Sequence, residues 1–222
     1  MGFIRSPPPY ALPVARAWPL DRRRPPSLLR HMPAVKETFH FLGQCAKEFR
    51  QTGALWPSGG VLARAMVNAV GPLEPGQVII ELGPGTGVFT RELVKRRPAN
   101  PVVAIEFNAA FADRLRRQMP EITVVEGCAS KLVEHLARLG IPIARVGAVV
   151  SGLPLLVLPR ELSIRVLESV HQVLPPGARY VQFTYSKFRW RRFVLKGFHA
   201  EASRAVWLNI PPAVVMPFTR VA

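Results

Sequence analysis

The stretch that most constrains this chain is QVIIELGPGTGVFT, residues 77–90. Val78, Ile79 and Ile80 favour a strand, Glu81 closes it, glycines then alternate with Pro84 and Thr86, and a helical pattern runs over 88–97. The succession predicts a strand, a tight turn and a helix N-terminus. Glycines at 83, 85 and 87 let the backbone take positive φ and leave no Cβ between the turn and a ligand. The pattern is ExGxGxG, whereas a dinucleotide fingerprint reads GxGxxG; Val88 stands where that fingerprint has its third glycine. A carboxylate at this edge repels a pyrophosphate and suits the cationic amine of an amino-acid ligand.

The residues that follow repeat the strand–helix theme. A buried strand is expected over 101–107, ending in Glu106, about twenty residues beyond the last glycine, where a Rossmann-type unit sets a carboxylate on ribose hydroxyls. Asn108 then starts a helix over 109–119. A third strand over 122–125, a helix over 131–139, an all-apolar or small strand over 146–150, a helix over 160–173 and a fifth strand over 180–184 complete the alternation. Strands alternating with helices predict a mostly parallel sheet covered on both faces, an α/β Rossmann-like fold. Residues 205–210 and 213–218, separated by Pro211 and Pro212, read as a terminal antiparallel hairpin.

Ahead of the central motif, residues 1–33 are dense in Pro and Arg and are expected to stay disordered, with no apolar run after Arg5 to make a secretory signal. MGFIRS matches an N-myristoylation pattern in form only. Over 34–51, Val35, Phe39, Leu42, Ala46 and Phe49 recur at helical spacing, with Lys36, Lys47 and Arg50 off that face. Such a basic amphipathic helix can lie in a membrane interface or lid the domain. A loop with Ser58 or the Gly59–Gly60 pair as candidate cap leads to a second helix over 61–70, so residues 34–70 form an N-terminal helical unit and 71–222 the catalytic domain.

A net charge of +16 calls for an anionic partner, and RNA, DNA and acidic lipid all qualify. The longest apolar stretch, residues 146–159, carries prolines and is shorter than the ~20 residues of a membrane-spanning helix. Cys45 and Cys128 stand alone, with no CxxC and no adjacent His, so neither a disulfide framework nor a zinc site is indicated, and a reducing cytoplasm fits.

The 81–87 motif resembles motif I of the class I methyltransferases, whose ligand is S-adenosylmethionine. Together, ALWPSGG at 54–60, ELGPGTG at 81–87, VVSGLPLL at 149–156, LPPGARYVQFTYS at 174–186 and VWLNIPPA at 206–213 resemble the bacterial phospholipid N-methyltransferases. The similarity covers roughly residues 34–222. It implies methylation of phosphatidylethanolamine toward phosphatidylcholine by a monomer held peripherally on the inner face of the cytoplasmic membrane, with phospholipid and not nucleic acid as partner. Cofactor contacts are then expected at Glu81, Gly83, Gly85, Gly87, Glu106, Cys128, Ala129 and Ser151. In this fold the loop around Cys128 meets the adenine ring, often through an acid; a thiol packs there but bonds poorly, and a small buried residue is the expectation for Cys128.

The same family is similar to ribosomal RNA adenine dimethyltransferases, the main alternative, with a nonenzymatic binder of anionic surfaces as a third. Adenine-N6 enzymes end the fourth strand with an Asn or Asp, a Pro and an aromatic, supplying an acceptor for the amine and a ring to stack the base. Here the aligned residues are Gly152, Leu153, Pro154 and Leu155, which supply neither, although Ser151 adds a hydroxyl. In-line methyl transfer needs alignment and exclusion of water more than a strong base, and no metal. Tyr185, Ser151 or water are the candidate proton acceptors, with His40 and His199 further off. Residues 185–196 pair Lys187, Arg189, Arg191 and Arg192 with Phe188, Trp190 and Phe193; this suits an interface, rings at headgroup depth and guanidiniums on phosphate, with Tyr185 and Arg189 expected to hold the substrate.

Overall fold

The computed structural model describes residues 57–186, 190, 196–209 and 211–222. Eight strands form one sheet: β1 (Val78–Leu82), β2 (Val102–Glu106), β3 (Thr123–Glu126), β4 (Val146–Ser151), β5 (Arg179–Thr184), β6 (Phe198–Ala200), β7 (Arg204–Val206) and β8 (Ala213–Arg220). Among the described residues the longer helices are α1 (Pro57–Ala69), α2 (Val88–Arg96), α3 (Ala109–Gln118), α4 (Leu132–Arg138) and α5 (Arg160–Val173). The order is β3-β2-β1-β4-β5-β8-β6, with β7 also on β8. β1 to β5 run parallel, and β8 returns antiparallel beside β5.

The central strands form where the sequence is continuously apolar, because both of their faces are covered. Alternate side chains go to opposite faces. Ile80, Leu82, Val149 and Tyr180 pack with Leu132, Leu136, Val166 and Val170 of α4 and α5. On the other face Ile79, Ala148, Val150 and Val181 meet Leu62, Met66 and Val67 of α1 and Leu93 of α2, and Ala104 meets Leu115 and Met119 at α3. Each such fully buried aliphatic side chain contributes roughly 1.5–3 kcal/mol relative to exposure.

Three local expectations change. The first described helix begins at Pro57, not at Val61, so Ser58 and the Gly59–Gly60 pair lie within its first turn and are not its cap; proline suits that first turn because its φ is preset and its missing N–H would have had no partner. The terminal hairpin is β7 with β8, and β8 extends to Arg220 along the whole of β5. β6 was not expected. It and β7 are two halves of one edge strand, interrupted where residues 201–203 face only Met216 and Pro217 between the pairs Ala200↔Phe218 and Arg204↔Val215. Glu201 bridges this bulge through its N–H to the Pro217 carbonyl at 3.0 Å and an ion pair with Arg179 at 2.9 Å.

Asn108 caps α3 as expected, its side chain accepting from the Phe111 N–H at 3.2 Å. Among the described residues no helix is long and apolar enough to cross a membrane.

Candidate active site

The carboxyl-terminal ends of β1, β2 and β4 converge where α2 begins. Glu81 is the penultimate residue of β1 and is completely buried. The parallel register sets it beside Ala104 of β2 and Val150 of β4. Neither of its carboxylate oxygens has a hydrogen-bond partner of normal geometry, and the Thr90 hydroxyl is equally unpaired. Burial raises the Glu81 acid from 4.5 to about 7, while the nearby Thr90 side chain and, more weakly, Arg91 oppose the rise and Glu106 adds to it. An unpaired buried carboxyl costs stability unless a cation completes it.

Glu106, at the end of β2 on the same sheet face, is held differently. Its Oε2 accepts from the Gly85 N–H at 3.0 Å and its Oε1 from the Asn108 N–H at 2.8 Å. Burial raises its pKa above the ordinary carboxylate value, making it a weaker acid, and these N–H groups oppose that. The carboxylate thus ties the glycine turn to the start of α3. Gly83, Gly85 and Gly87 all have positive φ. At Gly85, where φ is 54°, a Cβ would meet no atom within 4 Å, so the turn opens onto free space beside two carboxylates. That combination fits a ligand with a cationic amine and vicinal hydroxyls: Glu81 for the amine, Glu106 for the hydroxyls, the Gly85 turn against its body.

The β4 end lies tight on this turn. The Gly152 N–H donates to the Leu82 carbonyl at 2.8 Å, and the Leu153 side chain covers Gly83, where a Cβ would come within 2.6 Å of Leu Cδ2. Ser151 is fully buried. Its hydroxyl accepts the Leu153 N–H at 3.3 Å, and because Val150 pairs with Glu81, Ser151 points to the opposite sheet face. This placement suits holding the turn rather than contacting the Glu81 ligand or taking a proton. Sequence reasoning passed over Gln182, whose amide donates to the Leu153 carbonyl at 3.1 Å and accepts from the Tyr180 hydroxyl at 2.7 Å. A lone amide in an apolar central strand was the available signal. Thr90, which faces Glu81, was passed over likewise.

Cys128 is partly exposed, not buried as expected, with its sulfur 3.1 Å from the Ser130 hydroxyl. Ala129 beside it is buried. The Cys128 carbonyl receives His135 Nε2 at 3.0 Å. Tyr185, just past β5, is 46% exposed and lies edge-on to Phe183 with ring centres 5.5 Å apart; burial raises its phenol and Asn209 opposes this. Trp190 contradicts the interfacial reading of its ring: it is only 6% exposed, within the core, its ring centre 6.3 Å from that of Phe218. His199 is in β6 opposite Thr219, which pairs with Arg179 at the far, amino-terminal end of β5, so it is away from the site. His40, the helix expected over 34–51, Lys187, Arg189, Arg191, Arg192, Phe188 and Phe193 lie outside the described residues.

The sheet order and the two acids flanking a glycine turn define a class I S-adenosylmethionine-dependent methyltransferase. Solved structures share this fold: TrmN from Thermus thermophilus, with TM-score 0.60 and 21% identity over 73% of this chain and 49% of that one, and a Burkholderia thailandensis 1,6-didemethyltoxoflavin-N1-methyltransferase bound to S-adenosylhomocysteine, with TM-score 0.58 and 14% identity over 85% and 88%. Residues 61–129 match the ribosomal RNA adenine dimethylase family model. An ornithine lipid N-methyltransferase of Singulisphaera acidiphila is 34% identical over 183 residues, 81% of this chain and 94% of that protein. A ribosomal RNA small subunit methyltransferase A of Albidiferax ferrireducens is 34% identical over only 83 residues, 37% and 30% of the two chains. The chain belongs to the family of the ornithine lipid N-methyltransferase.

Proposed function

We propose that this enzyme methylates the primary amine of a membrane-lipid headgroup, with phosphatidylethanolamine as acceptor and its methylated forms as further acceptors. The observation that carries the reading is the extent of similarity: the lipid enzyme matches over 94% of its own length, whereas the RNA enzyme matches over only 30% of its own. The β4 end supports it, since Gly152, Leu153, Pro154 and Leu155 give no oxygen acceptor and no ring for a flipped adenine. Ornithine lipid is the second candidate acceptor, favoured by that relative's own activity.

When bound, S-adenosylmethionine supplies an electrophilic methyl on a sulfonium. Glu81 would pair with the cationic amine, giving its proton to solvent; Glu106 would take the ribose hydroxyls, exchanging its hold on the Gly85 N–H; Cys128 and Ala129 would border the adenine. The Gly152–Leu153 turn, braced by Ser151 and Gln182, walls the reacting end and keeps water out. Tyr185 and, from the sequence, Arg189 orient the headgroup, and Tyr185 or water takes the proton an ammonium must lose before its lone pair can attack.

Expression in a bacterium whose membranes contain phosphatidylethanolamine, followed by lipid mass spectrometry, tests this. Species heavier by one CH2 per methyl on the ethanolamine headgroup are expected. An unchanged lipid profile with methylated ribosomal RNA contradicts the reading, and methylation confined to added ornithine lipid moves the acceptor to that class.

A further inference from the structure

The exposed apolar side chains of this protein are not scattered. Eight large ones are exposed among the described residues, and Phe107, Val133, Val157, Tyr185, Trp207 and Leu208 all sit at the carboxyl-terminal end of the parallel strands. Phe107 follows β2, Val133 opens α4, Val157 is in the loop after β4 and Tyr185 follows β5. The opposite end has two, Ile143 and Val221.

Trp207 and Leu208 are the extreme pair, 77% and 74% exposed. They stand at the turn from β7 to β8. Because β8 is antiparallel to β5, and Thr184 at the end of β5 pairs with Val214 near the start of β8, this turn rises at the cofactor end, on the side away from β2 and β3. The turn is closed from within: the Asn209 N–H donates to the Val206 carbonyl at 3.3 Å, the Asn209 side chain donates to the Pro211 carbonyl at 2.7 Å, and Asn209 is buried. With Asn209 turned inward, an indole and a leucine are left side by side in solvent, the kind of adjacent apolar pair that marks an interaction surface.

We infer that the carboxyl-terminal end of the sheet is a lipid-facing surface, with the Trp207–Leu208 turn entering the interface of an anionic bilayer and setting the mouth of the site against the headgroups. The inference rests on the lipid reading of the active site, and it names the surface by which that site reaches its substrate. The occupant follows from chemistry on two counts. An indole beside a leucine at an exposed turn suits headgroup depth, where the ring finds both apolar and polar neighbours. Exposed Arg204 two residues before the end of β7, exposed Arg160 at the start of α5 and a chain charge of +16 complement acidic lipid.

The test uses the full chain and vesicles of phosphatidylglycerol and phosphatidylcholine, which offer no primary amine, so binding is read apart from methylation. Wild type should sediment with the vesicles, and lipids brominated along their acyl chains should quench a fluorescence component that Trp207→Phe lacks. The double change Trp207→Ser with Leu208→Ser should lower vesicle binding about tenfold with an unaltered melting temperature and unaltered cofactor affinity, since both side chains are in solvent. Wild type that ignores the vesicles, equal binding by the double variant, or quenching that Trp207→Phe leaves unchanged overturns the inference. Loss of ribosomal RNA binding in the double variant, with vesicles ignored by wild type, assigns the turn to RNA and overturns it too. Vesicle binding through Trp207 without methyl transfer to any lipid leaves the surface standing and removes the proposed reaction.

Discussion

Gly152 and Gly83 touch backbone to backbone: a Cβ on Gly152 would fall 2.8 Å from the Gly83 carbonyl oxygen. The end of β4 is thereby pressed onto the glycine turn after β1, with no side chain able to give way. Gly152→Ala should force the two apart, costing about 1–3 kcal/mol as overpacked sites do. Cofactor affinity should fall with stability, and calorimetry with thermal melting measures both. Wild-type values for the two would show that the contact is slack.

Glu81 makes the stability of the free protein pH-dependent. Its native value is about 7 against an ordinary 4.5, so between these pH values the folded chain keeps a proton that the unfolded chain has released. Stability from this group is therefore lost as pH rises from about 4.5 to 7, approaching about 3 kcal/mol. Glu81→Gln should flatten that loss in melting curves of the free protein.

The same acid should release its proton on cofactor binding, because a bound ammonium favours the carboxylate. Titration calorimetry near pH 6, in buffers of different protonation enthalpy, should show proton release and an affinity that weakens as pH falls. In Glu81→Gln the release should vanish and binding weaken about ten- to a hundredfold. Proton uptake by wild type would contradict the assignment.

Glu106 should matter before any ligand arrives. Glu106→Ala removes the acceptor for the Gly85 and Asn108 N–H groups, at roughly 1 kcal/mol each, and deletes the expected ribose partner. Faster hydrogen exchange at Gly85 and Asn108 together with lost cofactor binding is the expected pair of results.

Gln182 is predicted to be structural. Gln182→Leu removes the acceptor of the Tyr180 hydroxyl and one of the two donors on the Leu153 carbonyl, which keeps the Leu155 N–H at 2.9 Å, an expected loss of about 1–2 kcal/mol. Tyr180→Phe removes only one donor and should cost less. Denaturant melts rank the two, and a reversed order would contradict the network.

The five parallel strands and the helices between them were legible because burial on both faces leaves a continuous apolar signature, and Asn108 announced its own cap. The placement of Glu81 and Glu106 at neighbouring strand ends and of the glycines in a positive-φ turn was legible because each apolar run ended on its acid and only glycine takes that backbone conformation readily. What stayed hidden depends on tertiary pairing. β6 is three residues long and exists only because β8 extends past β7 to receive it. Trp190 sits in a basic, aromatic run whose composition suits an interface, and only packing against Phe218 reveals it as core. Ser151 reads as a free hydroxyl at a strand end until the register turns it to the face away from Glu81. The turn bearing Trp207 and Leu208 reads as an ordinary hairpin until β8 fixes which end of the sheet it crowns.

The central claim, a methyl carried from S-adenosylmethionine to a lipid amine, is tested most directly with purified protein and methyl-labelled cofactor, offered vesicles containing phosphatidylethanolamine, vesicles containing ornithine lipid, and ribosomal RNA in parallel. Label in the phosphatidylethanolamine fraction, abolished in Glu81→Gln, is the predicted result. Label in RNA with none in either lipid would contradict it.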